Sequence, residues 1–308
     1  QLENKIDVMS KTFLGLTVAC ARCHDHKFDA IHQRDYYAMA GFILSSSYRQ
    51  ARFESMEQNK AVAEKLEGLR RDHLPKIAKA FVAAARPVVD ALGDDVPVEL
   101  ATTPLYPVEG KYQTVADYTQ GHTPWLVDGP TFGQSPALPG QLMLVTGDQP
   151  LALSRNGGAI RDAFWSRLKN IDSENDPGGL LNGLSRAGKT IRTPTVTLAS
   201  GQVYYLIRGK ATVYAAVSQN LFAGPLHGTL AKTVEAKGDA PQWIGHNLKR
   251  YVGQRVHFEI SPVGDAPFEL LQVIDGGTPK QELGEKKSVS RKELHQALDD
   301  LDDGRLEA

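Results

Sequence analysis

Cysteine is nearly absent: there are 2 residues in a chain of 308, and they stand three apart. A disulfide-stapled scaffold is excluded, and whatever the two thiols do is local. An excess of one charge is missing too. Lys and Arg number 35 against 36 Asp and Glu, a net charge of -1. No basic stripe therefore points to nucleic acid, and no polybasic segment points to an anionic membrane surface. No apolar run approaches the length that spans a bilayer. The chain has no internal repeat, no G-x-S-x-G elbow, no P-loop and no H-E-x-x-H. Spacing alone pairs no two of its carboxylates as a glycosidase acid and base. It begins at Gln1 with neither Met nor signal peptide and is read as mature or excised, so the compartment is not taken from its start.

What is there is organised in two textures. A length of 308 residues exceeds the usual single domain, and two modules are expected. The first fifty residues read as helical. A second helical region follows, in which Val62, Leu66, Leu69, Ile77, Phe81, Val88 and Val89 recur near the helical period. Pro75 divides it, which predicts an antiparallel hairpin over 54–92, closed by Gly93-Asp94-Asp95. Past Val96, Pro and Gly come at short intervals between β-branched and aromatic residues. Strands are expected at 141–145, 193–198, 203–208, 211–219, 256–261 and 268–274. The alternation of Thr212, Tyr214 and Ala216 with Val213, Ala215 and Val217 is one basis. Many short strands between turns favour an antiparallel sandwich or jelly roll. Residues 156–189 read as an excursion from the sheet, with a short helix at 163–168. An exposed helix at 290–303 is expected, with Ser290 and Glu293 as a capping box. The fold class is α+β multidomain: a helical region at 1–53, a hairpin at 54–95 that completes it, a β-sandwich at 96–275 and a polar segment at 276–308.

The chemistry concentrates in V-A-C-A-R-C-H-D-H-K-F-D at residues 18–29. C-x-x-C-H is the pattern of covalent haem attachment: two thiols reach the two vinyl groups of one porphyrin edge, and the next imidazole sits beneath the iron. On a helix, Cys20, Cys23 and His24 fall at i, i+3 and i+4 on one face, with His24 as proximal ligand. His26 lies about 200° further round a continuing helix, turned away unless the chain breaks. It is a candidate for a haem contact or a second site. Met39, Met9 and His32 are the other local candidates for a sixth ligand, and an open sixth position is equally allowed. Phe13, Leu16, Phe28, Tyr37 and Met39 are candidates for an apolar pocket. Zinc is the rival cofactor, since Cys20, Cys23, His26 and His32 form C-x2-C-x2-H-x5-H, although His24 is then unused. A redox dithiol and two packed thiols are the remaining readings.

In the second module, Tyr204, Tyr205, Tyr214, Phe222, Trp243 and Tyr251 could stack on sugar rings, though aromatics in alternating strands mostly fill cores. Trp125 is similarly ambiguous. His227 sits in a loop, where polar residues often serve function. Asp128, Asp172, Glu174 and Asp176 could supply oxygens for calcium but follow no EF-hand spacing.

The wider stretch F-L-G-L-T-V-A-C-A-R-C-H-D-H-K-F-D-A-I at 13–31, continued by R-D-Y-Y-A-M-A-G-F at 34–42, resembles the planctomycete cytochrome c-like family. The likeness covers about thirty residues, with Ala30 where the family has Pro. The resemblance implies a secreted or periplasmic haem c protein, with thioethers at Cys20 and Cys23 and an iron ligand at His24. It also implies that the chain is an internal portion of a larger protein. Residues 220–234 and 243–260 are similar to the β-sandwich of those proteins, which is reminiscent of galactose-binding-like carbohydrate modules. The expected function is electron transfer with a redox protein partner, the sandwich serving recognition of polysaccharide, with Trp243, Tyr205 and His227 as candidate contacts. The alternatives are a carbohydrate-binding or interaction protein with a structural zinc or haem site, and a haem-dependent oxidase or peroxidase. No nucleic acid and no membrane span are expected.

Overall fold

The computed structural model describes residues 2–45, 53–93, 98–99, 104–121, 123–144, 151–162, 188–217, 229–264, 266–283 and 288–302. The chain is α+β, with four α-helices and antiparallel sheets among these residues. Helix α1 (Leu2–Met9) runs into a π-helical turn (Ser10–Leu14), where Gly15 adopts a left-handed φ of 67° and returns its N–H to Ser10 O. A five-residue 3-10 turn (Val18–Arg22) follows, and then an irregular stretch to α2 (Gln33–Ser45). Ile6, Val18, Ala21, Ile31, Tyr36 and Ala40 meet in a small core of this region's own.

Helix α3 is one uninterrupted helix, Phe53–Asp90, with Pro75 and Pro87 inside it. The expected hairpin at Pro75 is therefore corrected. A proline removes one intrahelical donor and costs about 3 kcal/mol. Here it lies among Ala, Leu, Lys, Arg and Glu, all good helix formers, and the helix is held on both sides of it. Arg70 pairs with Asp162 at 3.1 Å, while Arg86 pairs with Asp299 at 2.8 Å on α4 (Arg291–Asp302). Helix α4 opens on the expected capping box: Ser290 N–H donates to Glu293 Oε2 at 2.8 Å, and Glu293 N–H returns to Ser290 Oγ at 3.3 Å.

The first large sheet is ordered Gln242–Asn247, Gln202–Arg208, Glu269–Pro279 and Val108–Asp117, with Ala159–Ile160 pairing part of the third strand. The second is ordered Ala231–Glu235, Lys210–Val217, Arg255–Pro262, Thr190–Arg192 and Leu126–Asp128, with Val196–Thr197 beside the third strand. The chain passes from one sheet to the other at Gly209. There φ is 82° and the Pro267 carbonyl occupies the space a Cβ would need, so only glycine fits. Period-two alternation sends Val203, Tyr205 and Ile207 from one sheet, and Val213, Ala215, Phe258 and Ile260 from the other, into one apolar core. The rings of Tyr205 and Phe258, one from each sheet, meet edge to face at 5.6 Å.

The strand expected at 193–198 shrinks to Val196–Thr197, while the strand expected at 268–274 runs on to Pro279. The expected strand at 141–145 is present as Leu142–Leu144, paired with Leu151–Leu153; residue 145 lies outside the described residues, as does the helix expected at 163–168. Val108–Asp117, Ala231–Glu235 and Gln242–Asn247 were not anticipated. Among the described residues, no helix is long and apolar enough to cross a membrane.

Candidate functional site

The cysteine–histidine cluster sits on a break in helical structure. Cys20 lies in the 3-10 turn, its N–H bonded to Thr17 O at 3.0 Å, and Cys23 closes that turn. The expected α-helix through 20–24 is corrected, and so is the argument that turned His26 away along it. A 3-10 helix has three residues per turn, so a spacing of three still stacks Cys20 over Cys23. Both are free thiols and exposed, as is His24.

His24 Nδ1 lies 2.7 Å from the carbonyl oxygen of Asp25. A carbonyl can only accept, so Nδ1 carries the proton, and the lone pair is left on Nε2, the atom that binds a metal in that tautomer. The chain supplies, one residue along, the backbone partner that orients metal-bound imidazoles.

His26 is spent on structure. Its Nδ1 accepts the backbone N–H of Asp29 at 2.9 Å and of Phe28 at 3.3 Å, and its Nε2 donates to Thr17 Oγ1 at 3.0 Å. Its own N–H reaches Ile31 O at 2.8 Å, and its side chain is only 8% exposed. With both nitrogens committed, His26 drops out as a sixth ligand: it ties the 25–31 loop back to the residues before the 3-10 turn. Asp25 does the same on the other side. One oxygen accepts Gln33 N–H at 2.8 Å, at the start of α2, and the other meets His32 Nδ1 at 3.0 Å. The Gln33 N–H, and then His32, hold the Asp25 carboxyl below the usual carboxylate range. Asp35 accepts the His32 N–H at 2.8 Å. Thr17, Asp25 and Asp35 were not singled out in the sequence. The signal for Asp35 was its place three residues after the residue that precedes α2.

His32 keeps Nε2 clear but is exposed. Met39 packs against the small core beside Leu16, and Met9 is 37% exposed. The tetrahedral set Cys20, Cys23, His26 and His32 is not assembled, since among the described residues no three His, Cys, Asp or Glu side chains are placed to hold a metal ion. Of the expected pocket residues, Phe13, Phe28 and Tyr37 are exposed instead of walled in, with Phe28 at 84% and Phe13 at 80%. Leu14 and Phe42 share that exposure. Exposed apolar side chains of this size, on the same short region as two free thiols, are surface that a ligand or partner could cover.

In the sheets, Tyr205 is fully buried and Tyr214 nearly so, as expected of aromatics that fill a core, and Tyr205 is corrected from candidate sugar contact to interior residue. Tyr205 hydroxyl donates to His246 Nδ1 at 2.9 Å, and His246 Nε2 donates to Thr229 O at 2.7 Å. Tyr251 and Trp125 pack against the core, and Trp125 Nε1 donates to Gly133 O at 3.2 Å. Trp243 is part-buried, with Nε1 buried and lacking a hydrogen-bond partner among the described residues. His227, Phe222, Asp172, Glu174 and Asp176 lie outside the described residues.

Residues 1–48 match the family model PSCyt2, a planctomycete cytochrome-like domain family described as a protein of unknown function, DUF1549. The match ends before α3. No curated protein and no solved structure matches the chain.

Proposed function

We propose that residues 2–45 hold a covalently attached c-type haem and that the protein carries electrons. In this reading Cys20 and Cys23 form the thioethers and His24 is the axial ligand. The observation that carries it is the 2.7 Å contact of His24 Nδ1 with Asp25 O, which fixes the metal-binding tautomer next to two exposed thiols. Bound haem iron supplies one-electron redox chemistry. The chain's own residues supply the rest: His26, Thr17 and Asp25 hold the loop, and Phe13, Phe28 and Tyr37 supply apolar cover that limits water. The PSCyt2 match over residues 1–48 supports the same region as a cytochrome-like unit. Covalent attachment of this kind accords with a periplasmic or secreted location and with a redox protein as partner. We read the two sheets as a β-sandwich that serves recognition. Polysaccharide is its expected ligand class, with Trp243 as the remaining part-exposed contact and Tyr205 withdrawn.

The test is expression with a haem-maturation system, followed by intact mass and reduced-minus-oxidised spectra. One haem mass adduct with c-type bands is expected, lost in Cys20→Ala/Cys23→Ala. His24→Ala is expected to keep the adduct and lose the native axial-ligand spectrum. An unmodified mass and no bands from a folded chain would sink the proposal.

A further inference from the structure

Between the middle of α3 and residues 132–143 lies a cavity of about 650 Å³, a size typical of small-molecule sites. Leu74, Ile77 and Phe81 of α3 face Phe132, Leu138 and Met143 across it. The second wall is joined to the sheet core, since Phe132 and Met143 are buried and the Phe132 ring meets Phe268 at 6.2 Å. The α3 wall is apolar but open, with Ile77 and Phe81 still 36% and 47% exposed.

Charge decides what the cavity suits. Of the lining acids, Asp162 is engaged by Arg70 at 3.1 Å in a pair that is largely buried, and Asp302 lies in the field of Arg86. Of the lining cations, Arg71 and Lys79 have no ion pair among the described residues. They stand eight residues apart on α3, about 12 Å along its axis. Glu67 is the one lining acid left against them. A guanidinium that is free and beside an apolar wall is built for a planar carboxylate.

We propose that this cavity binds a small amphipathic anion, an apolar chain or ring system ended by a carboxylate, with the carboxylate on Arg71 and the apolar body between α3 and residues 132–143. The site does not depend on the haem reading and lies on other elements.

The chain's four methionines include Met143 on the cavity wall and Met9 and Met39 in the N-terminal region, so methyl NMR of the full chain localises a ligand directly. Titration with dodecanoate below its micelle concentration is expected to shift the Met143 methyl saturably and to leave Met9 and Met39 in place. Arg71→Glu is expected to weaken binding by about tenfold or more, the worth of a charge-assisted contact. Dodecyltrimethylammonium, with the same tail and opposite head, is expected not to compete. Ala78→Trp fills the cavity and is expected to abolish the shift; should that variant not fold, Arg71→Glu on the exposed helix face decides alone. Equal binding of the cation, indifference to Arg71→Glu, or a response at Met9 or Met39 in place of Met143 would overturn the assignment.

Discussion

Burial of His246 sets a pH response. Its ring is 3% exposed, bonded to Tyr205 on one side and Thr229 on the other. Burial pushes its pKa down; the Thr229 carbonyl acts against that, and Lys232 adds to it. The unfolded residue takes its proton near 6.5, the folded one only at lower pH. Between those two values the unfolded chain binds more protons, so stability falls as pH falls; above about 6.5 the contribution is flat. Urea midpoints of the sheet transition are therefore expected to drop between pH 7.5 and pH 5, with a shallower drop in His246→Phe. That variant is less stable at pH 7.5 because the Tyr205 hydroxyl loses its acceptor, a loss of about 1–3 kcal/mol. Equal pH slopes in the two proteins would exclude His246 as the source. The same residues mark what is legible at this scale. Cys20, Cys23 and His24 stood out because their spacing is a chemical pattern. Tyr205 misled because alternation says which residues share a face but not which face is covered. His26 misled because its orientation was inferred from a helix that ends two residues before His24.

Helix α3 raises the corresponding question for an element. Its periodic apolar residues were legible, and its continuity through Pro75 was not: a proline's local cost is visible in sequence, while the ion pairs that hold the helix on either side come from residues 92 and 213 positions away. The core strands 202–208, 210–217 and 255–262 were read closely because alternation is strong there. Val108–Asp117 was missed because five of its ten residues are exposed, so its pattern carries little apolar signal. The Ser290–Glu293 capping box was read directly, since both partners lie within one turn. Pro75→Ala restores one helical donor and is expected to raise the melting midpoint by the equivalent of about 1–3 kcal/mol, with more helical signal in far-UV circular dichroism. A lower midpoint would mean that Pro75 favours the path by which α3 reaches both Asp162 and α4.

For the whole molecule, the decisive feature is that apolar burial is split in two and divided unequally. The sheets share one extensive core with Tyr118, Tyr205, Tyr214, Phe258 and Phe268 fully or almost fully buried. Among the described residues, the N-terminal region buries Ile6, Val18, Ala21, Ile31, Tyr36 and Ala40, with Leu2, Leu16, Met39 and Ile43 partly buried against them, and its element contacts run among α1, its two turns and α2. A unit of that size is marginal on its own. Its largest apolar side chains, Phe13, Phe28 and Phe42, are in water, and each would contribute about 1.5–3 kcal/mol on full burial. If the proposed porphyrin on Cys20 and Cys23 covered them, it would act as core as well as redox centre. Calorimetry of the haem-free chain is expected to show two transitions, the lower belonging to residues 2–45. Haem attachment is expected to raise the lower transition and leave the upper in place. Cys20→Ala/Cys23→Ala is expected to return it to the haem-free value. A single transition unmoved by haem would mean that the N-terminal region draws its stability from the sheets, and that the exposed phenylalanines serve some other surface.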